Sequence, residues 1–303
     1  MTKISDTVHL LCESEKISHA VSILNEYGEN CALIKGPVLS KQIYGAEGKR
    51  GSSTDVDILI PRSNIKLMES ILLKQGYDCD KAEVSREGRV FVLSSSHQSF
   101  IWKKASFIGN IYVDINFDIF WGEYEGRRVD IDKFLLDTIE MEIYGTKVKT
   151  LPPIKAMIQL ILHHYKDMNS IFLLATRKSI KYDMFKDVYY LLINNLNDIP
   201  LNRLYDMSIE YGILPYVFYI LYYTGQVFED TILKQYIDAF RTPEGEGLLN
   251  CYGLCSKERK EWNCDFITRL KANNLFDLIK SDLTTKDQEK IAINKRIFMG
   301  VSE

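Results

Sequence analysis

Three carboxylates and one lysine carry most of the chemistry that this sequence offers. Asp55 and Asp57 stand two residues apart within Ser52-Ser53-Thr54-Asp55-Val56-Asp57-Ile58-Leu59-Ile60. Side chains alternate between the faces of a strand, so both acids point one way while Val56 and Ile58 are buried on the other. Aspartate is a poor strand former, and two like charges a few ångström apart repel each other. A cation resolves that conflict, most simply Mg²⁺, which takes oxygen ligands and keeps some of its water. Asp114, in Tyr112-Val113-Asp114-Ile115-Asn116, would complete the set if its strand lies beside the first. Two Mg²⁺ ions held in this way would clamp a phosphoryl group.

Two upstream features suit anionic oxygen. Cys31 to Ile34 reads as a short strand, and Lys35-Gly36-Pro37 turns it into a helix, with Pro37 early, where its missing N–H costs least. The N–H groups at that helix start form an anion site fit for a triphosphate, and Gly36 lets the backbone come close. On local sequence alone, Lys35-Gly36 reads equally well as an ordinary strand-to-helix turn. Arg50 precedes Asp55 by five residues in a glycine-rich polar loop, where a guanidinium could fork two phosphate oxygens or simply be solvated. Ser52, Ser53 and Thr54 add hydroxyls.

The order of these pieces resembles the nucleotidyltransferase superfamily, the DNA polymerase beta-like fold: apolar-Lys-Gly, a helix, an arginine, Asp-x-Asp on an apolar strand, and later apolar-Asp-apolar. It is most similar there to a bacterial nucleotidyltransferase-like family with a KG…DxD motif. The spacing is also similar to that of abortive-infection type toxins and tRNA CCA-adding enzymes. The resemblance covers roughly residues 30–120, and 150–195 loosely. It implies an α+β fold, a nucleotidyltransferase-like mixed sheet with flanking helices followed by an all-helical C-terminal domain. It also implies a Mg²⁺-dependent enzyme that moves a nucleoside monophosphate from an NTP, ATP being the expected one, to an acceptor hydroxyl with release of pyrophosphate. Asp55, Asp57 and Asp114 would be catalytic and metal-binding, while Lys35, Gly36 and Arg50 would hold the triphosphate. The superfamily usually has Gly-Ser or Gly-Gly where this chain has Gly36-Pro37, so part of the phosphate contact must come from elsewhere. That departure keeps a non-catalytic nucleotide-binding protein open as an alternative, beside a toxin-like enzyme acting on tRNA or protein. The resemblance further points to a histidine near His163 and an acid matched by Asp187, with a structural role preferred for both.

The composition narrows the setting. With 303 residues, 46% hydrophobic and 26% charged, the chain can bury one large or two ordinary cores. A net charge of −3 and a pI near 6.0 give no overall basic footprint, which favours a small-molecule or peptide acceptor over nucleic acid. The longest apolar runs, such as Leu214 to Tyr223, fall short of the roughly 20 residues that span a bilayer. The N-terminus lacks a signal-peptide core, so a cytoplasmic protein without membrane contact is expected. Cys251, Cys255 and Cys264 lie near one another in sequence, but without C-x-x-C pairs or a nearby histidine they read as thiols rather than zinc ligands.

Periodicity supplies the elements that must position the acids. A helix is expected over 5–27 with Val8, Leu11, Ile17, Ala20, Val21 and Leu24 on its apolar side, and a second is expected after Pro37. A third runs from an Asn64 cap to about Gln75, with Leu73 among its apolar residues and Gly76 closing it. Strands are expected at 89–93, 98–103 and 111–119, with an idle His97 in the turn joining the first two. In the last strand Tyr112, Asp114, Asn116 and Asp118 share a face, so Asp118 competes with Asp114 for the third acid position. Leu151-Pro152-Pro153 marks a boundary between a catalytic domain, 1–150, and a helical substrate or cap domain, 151–303. Helices follow near 183–196, 201–211, 214–224 and 229–240, where tyrosines and phenylalanines at helical spacing read as core. Adjacent His163 and His164 point about 100° apart, so only one is expected to reach a given site.

Overall fold

In the computed structural model, residues 3–50, 55–79, 98–120, 127, 129–176 and 179–299 are described, apart from the side chains of 3–7, 9, 98–101 and 296–299. The expected strand at 89–93, His97 and the hydroxyls of Ser52, Ser53 and Thr54 lie outside them.

Helix α1 (Lys3–Tyr27) buries Ile17, Ala20, Ile23, Leu24 and Tyr27, and stops at Gly28, whose φ of 68° lets its N–H bond back to Leu24 O. Val8 and Leu11, expected on the packed side, are exposed. The reason is length. A 25-residue helix is about 37 Å long, whereas five-residue strands such as those it covers are about 17 Å, so its first turns run past what the sheet can bury.

The sheet is mixed. Its strands are β1 (Ala32–Ile34), β2 (Asp55–Leu59), β3 (Asp78–Cys79), β4 (Gln98–Ser106), β5 (Gly109–Asn116), β6 (Ile139–Ile143) and β7 (Thr146–Thr150), in the order β3-β4-β5-β2-β1-β7-β6. β2 runs parallel to β5 and β1 parallel to β7, while the other neighbours are antiparallel. The three residues of β1 are all buried, as an apolar strand in mid-sheet should be. β5 ends two residues short of Asp118, which therefore leaves the ladder that carries Asp114.

Helix α2 (Gly36–Tyr44) buries Val38, Leu39 and Ile43, and ends at Gly45 in the left-handed conformation. Helix α3 (Ile65–Lys74) buries Met68, Ile71 and Leu72 and leaves Leu73 exposed. Asn64 does not cap it through its side chain. A turn of 3₁₀ helix precedes α3, so Asn64 takes a near-helical conformation and its amide donates to Tyr27 Oη at 2.8 Å, tying α3 to α1. The β6–β7 hairpin was not anticipated. Its two-residue turn, Tyr144-Gly145, has positive φ at both positions, the primed-turn geometry that matches strand twist.

The chain divides into two compact units, Met1–Ile119 with Val129–Ala156 and Phe120–Arg128 with Met157–Glu303. The first holds the sheet and its helices. The second takes in α4 (Pro153–Asn169) from Met157 onward, and its described elements after that are helices and a short ribbon, Cys251–Tyr252 paired with Lys260–Glu261. Its core is the helix Leu214–Gly225, in which Tyr216 to Leu221 are all buried. Tyr165 packs on Tyr216 and Tyr219 with ring centroids 4.6 and 5.0 Å apart. These aromatic residues are core.

Candidate active site

Parallel pairing of β2 and β5 sets Asp57 directly beside Asp114 and Asp55 beside Tyr112. Lateral neighbours in a sheet share a face, so Asp55, Asp57 and Asp114 lie on one side, opposite the buried Val56, Ile58, Val113 and Ile115. Asp57 and Asp114 are only 6% and 8% exposed, too deep for two negative charges without compensation. On its other flank Asp57 faces Ile34 of β1, and the next residue is Lys35.

Lys35 supplies the compensation. Its Nζ lies 2.5 Å from Asp57 Oδ1. Burial by itself would lower the pKa of this ammonium, but Asp57, then Asp114 and Asp55 outweigh it and hold the pKa above its ordinary value. Its backbone is unusual as well. At φ 58° and ψ −152°, Lys35 occupies a conformation close to glycine's territory, at a cost of about 1–3 kcal/mol that the surrounding structure must sustain. Gly36 follows with φ 44°, Pro37 enters α2, and no side chain caps the helix start. The anion-favouring N-terminus of α2 thus opens one residue beyond the lysine that sits on the acids.

Asn116 joins the group without having been singled out. It lies two residues beyond Asp114 on the same face, is 5% exposed, and its Nδ2 donates to Asp57 Oδ1 at 3.3 Å. An amide buried two positions from an acid on a polar strand face was the available signal. Arg50 is held through its main chain, its N–H donating to Ser40 Oγ, which itself donates to Ala46 O.

A family described as uncharacterised nucleotidyltransferase matches residues 10–229, a stretch that contains every one of these residues. The chain belongs to that family. No curated protein matches it. Among solved structures it is similar to the crystal structure of an antigenic nucleotidyltransferase-like protein from Paracoccidioides brasiliensis, at 15% identity over 74% of this chain and 92% of that one, with a TM-score of 0.42.

In this member of the uncharacterised nucleotidyltransferase family, the donor set on the sheet suits a hard cation: carboxylate oxygens, partly buried and sharing one face. Ligand atoms are gathered most tightly elsewhere. Among the described residues, His163, His164 and Asp167 of α4 bring theirs within 4.8 Å of one another, whereas the three aspartates, with the Lys35 ammonium among them, are not so gathered. Both histidines thus reach one place, against expectation. Asp167 follows His163 by four residues and His164 by three, spacings that make helix residues neighbours, and its Oδ2 lies 3.5 Å from His163 Nε2. The Lys166 ammonium sits in the same cluster, 3.3 Å from His163 Nδ1 and 3.6 Å from Asp167 Oδ1, a poor setting for a further cation. Asp187 is buried on the helix Tyr182–Asn194.

Proposed function

We propose that this chain is a Mg²⁺-dependent nucleotidyltransferase that moves a nucleoside monophosphate from an NTP, ATP first, to an acceptor hydroxyl of a small molecule or peptide. The observation that carries the reading is the in-register pair Asp57 and Asp114, with Lys35 on Asp57 at the mouth of α2. Asp55, Asp57 and Asp114 would hold two ions, which when bound neutralise charge on the transferring phosphoryl group. Lys35, the Gly36 backbone and Arg50 bind the β- and γ-phosphates, where charge develops as pyrophosphate leaves. Asp114 accepts the proton of the acceptor hydroxyl. The hydroxyl oxygen bonds to Pα, the Pα–O bond to the β-phosphate breaks, and its electron pair leaves with pyrophosphate. Pro37 gives α2 no N–H at its second position, which leaves more of the phosphate contact to Lys35 and Arg50. We assign this chemistry to the sheet-bearing unit and acceptor recognition to the helical one.

A pair of labelled nucleotides tests the reading. With cell extract as the acceptor source, label from [α-³²P]ATP should pass to an acceptor while label from [γ-³²P]ATP stays in pyrophosphate, and Asp57→Asn should abolish both. Transfer of the γ label instead would make the protein a kinase.

A further inference from the structure

One positive charge in the helical unit is buried without a negative one beside it. Arg269, on the helix Phe266–Lys271, is 1% exposed. Its guanidinium lies over the rings of Tyr223, Trp262 and Phe266, 5.1, 5.1 and 5.7 Å from their centroids. Nε donates to Asp265 O at 3.3 Å and Nη2 to Tyr223 Oη at 2.8 Å, while Nη1 is buried with no acceptor. Ring faces attract a cation, but they leave N–H groups in the guanidinium plane unsatisfied. Among the described residues no carboxylate pairs with this guanidinium. The exposed Asp265 carboxylate accepts from Thr268 N instead, and Asp282 is taken by Tyr252 Oη and Asn263 Nδ2. Burial pushes the Tyr219 and Tyr223 hydroxyls up, and Arg269 only opposes that rise, so neither phenol supplies the missing charge.

The polar atoms left over around the guanidinium are donors as well. Trp262 Nε1 belongs to the indole lying against it, and Tyr219 Oη to the ring packed edge-on to Tyr223 at 4.8 Å; both atoms are buried and without a partner. An indole N–H and a guanidinium can only donate. A trapped water could accept from two of them, but its own hydrogens would then need acceptors, and of these atoms only Tyr219 Oη could serve. An anion accepts from all of them and brings the charge that a buried guanidinium needs. We propose that Arg269 is the centre of a buried site for a monovalent inorganic anion of chloride size, bound by Nη1 with Tyr219 Oη and Trp262 Nε1 as further donors. The burial of all three atoms restricts the occupant to a compact ion. Bound there, it ties the helix Phe266–Lys271 and Trp262 to the central helix Leu214–Gly225, apart from the phosphate chemistry assigned to the sheet.

Bromide, which scatters anomalously, locates such an ion. In crystals of the full chain soaked in sodium bromide, an anomalous peak should stand at hydrogen-bonding distance from Arg269 Nη1. In solution, raising chloride from about 1 to about 100 mM, with gluconate holding the ionic strength constant, should raise the wild-type Tm by at least about 3 °C. Tyr219→Phe keeps the ring and removes one donor, so it should weaken the anion about tenfold, the loss of one hydrogen bond to a charged partner. Arg269→Met should abolish the chloride dependence; if that variant does not fold, Tyr219→Phe and the bromide map still decide. A water at Nη1 with no bromide, a Tm indifferent to chloride, or wild-type chloride dependence in Tyr219→Phe overturns the site.

Discussion

Replacing Asp57 by Asn separates two roles of one carboxylate, as partner of Lys35 and, in the proposed reaction, as a group at the reacting phosphate. The stability part follows from geometry. A hydrogen bond to a charged partner contributes about 1.5–3 kcal/mol, and breaking a fully buried ion pair costs about 3–5 kcal/mol. Here Lys35 keeps 19% of its side chain exposed and retains Asp114 and Asp55 as neighbours, which argues for the lower end, about 2 kcal/mol. That loss lowers Tm by about 4–8 °C for a domain of this size. The catalytic part is larger, since removing a carboxylate that holds a charge-stabilising ion costs about a hundredfold or more in rate. Thermal melting by circular dichroism and pyrophosphate release, measured on Asp57→Asn, Lys35→Met and the double variant, give both quantities. The coupling between the two sites in the melting data should reach about 1 kcal/mol or more. Independent, additive losses would refute the ion pair as a source of stability, and wild-type turnover in Asp57→Asn would refute the catalytic assignment.

Asn116→Leu keeps the branching of the side chain but removes the donor to Asp57. Turnover should fall about tenfold, the rate equivalent of one modest hydrogen bond, with Tm held within a few degrees. The raised pKa of Lys35 has a definite sign. Its stabilisation is complete below the pKa of a free lysine and is lost as pH climbs through the higher folded value, so the Tm difference between wild type and Lys35→Met should be flat at neutral pH and shrink in strong alkali. Gly145→Ala should cost about 1 kcal/mol in thermal unfolding. A Cβ there meets nothing within 4 Å, so the loss reports the φ of 76° alone.

The placing of the three aspartates on one face of the sheet was readable because it rests on two-residue periodicity and on residues unsuited to their surroundings. Asp55-x-Asp57 and Asp114 were marked by sitting in apolar runs, and the turn at Lys35-Gly36 by glycine and proline. What could not be read depended on partners distant in the chain. The β6–β7 hairpin turns on Tyr144, whose φ of 48° is atypical for an aromatic residue, so no turn dipeptide announced it. The exposure of Val8 and Leu11 depends on how far α1 outruns the sheet, which periodicity does not report. Asn64 satisfied the sequence rule for a cap, but a preceding 3₁₀ turn and Tyr27 claimed its amide. Asn116 needed the β2–β5 register, and the meeting of His163 with His164 needed side-chain directions that helical spacing alone does not give.

The placement of β7 has a consequence for synthesis. β1 lies in mid-sheet, yet its second neighbour is the strand that ends at Thr150, whose hydroxyl donates to Leu33 O at 2.7 Å. Until residue 150 has left the ribosome, a nascent chain that already contains every residue of the acidic cluster leaves one edge of an apolar strand open to solvent or to another copy. Once the hairpin docks, the new margin of the sheet is β6, whose Glu140 and Glu142 point outward. A sticky edge is thereby replaced by a charged one, and fragments truncated before residue 146 are expected to aggregate where the whole chain does not.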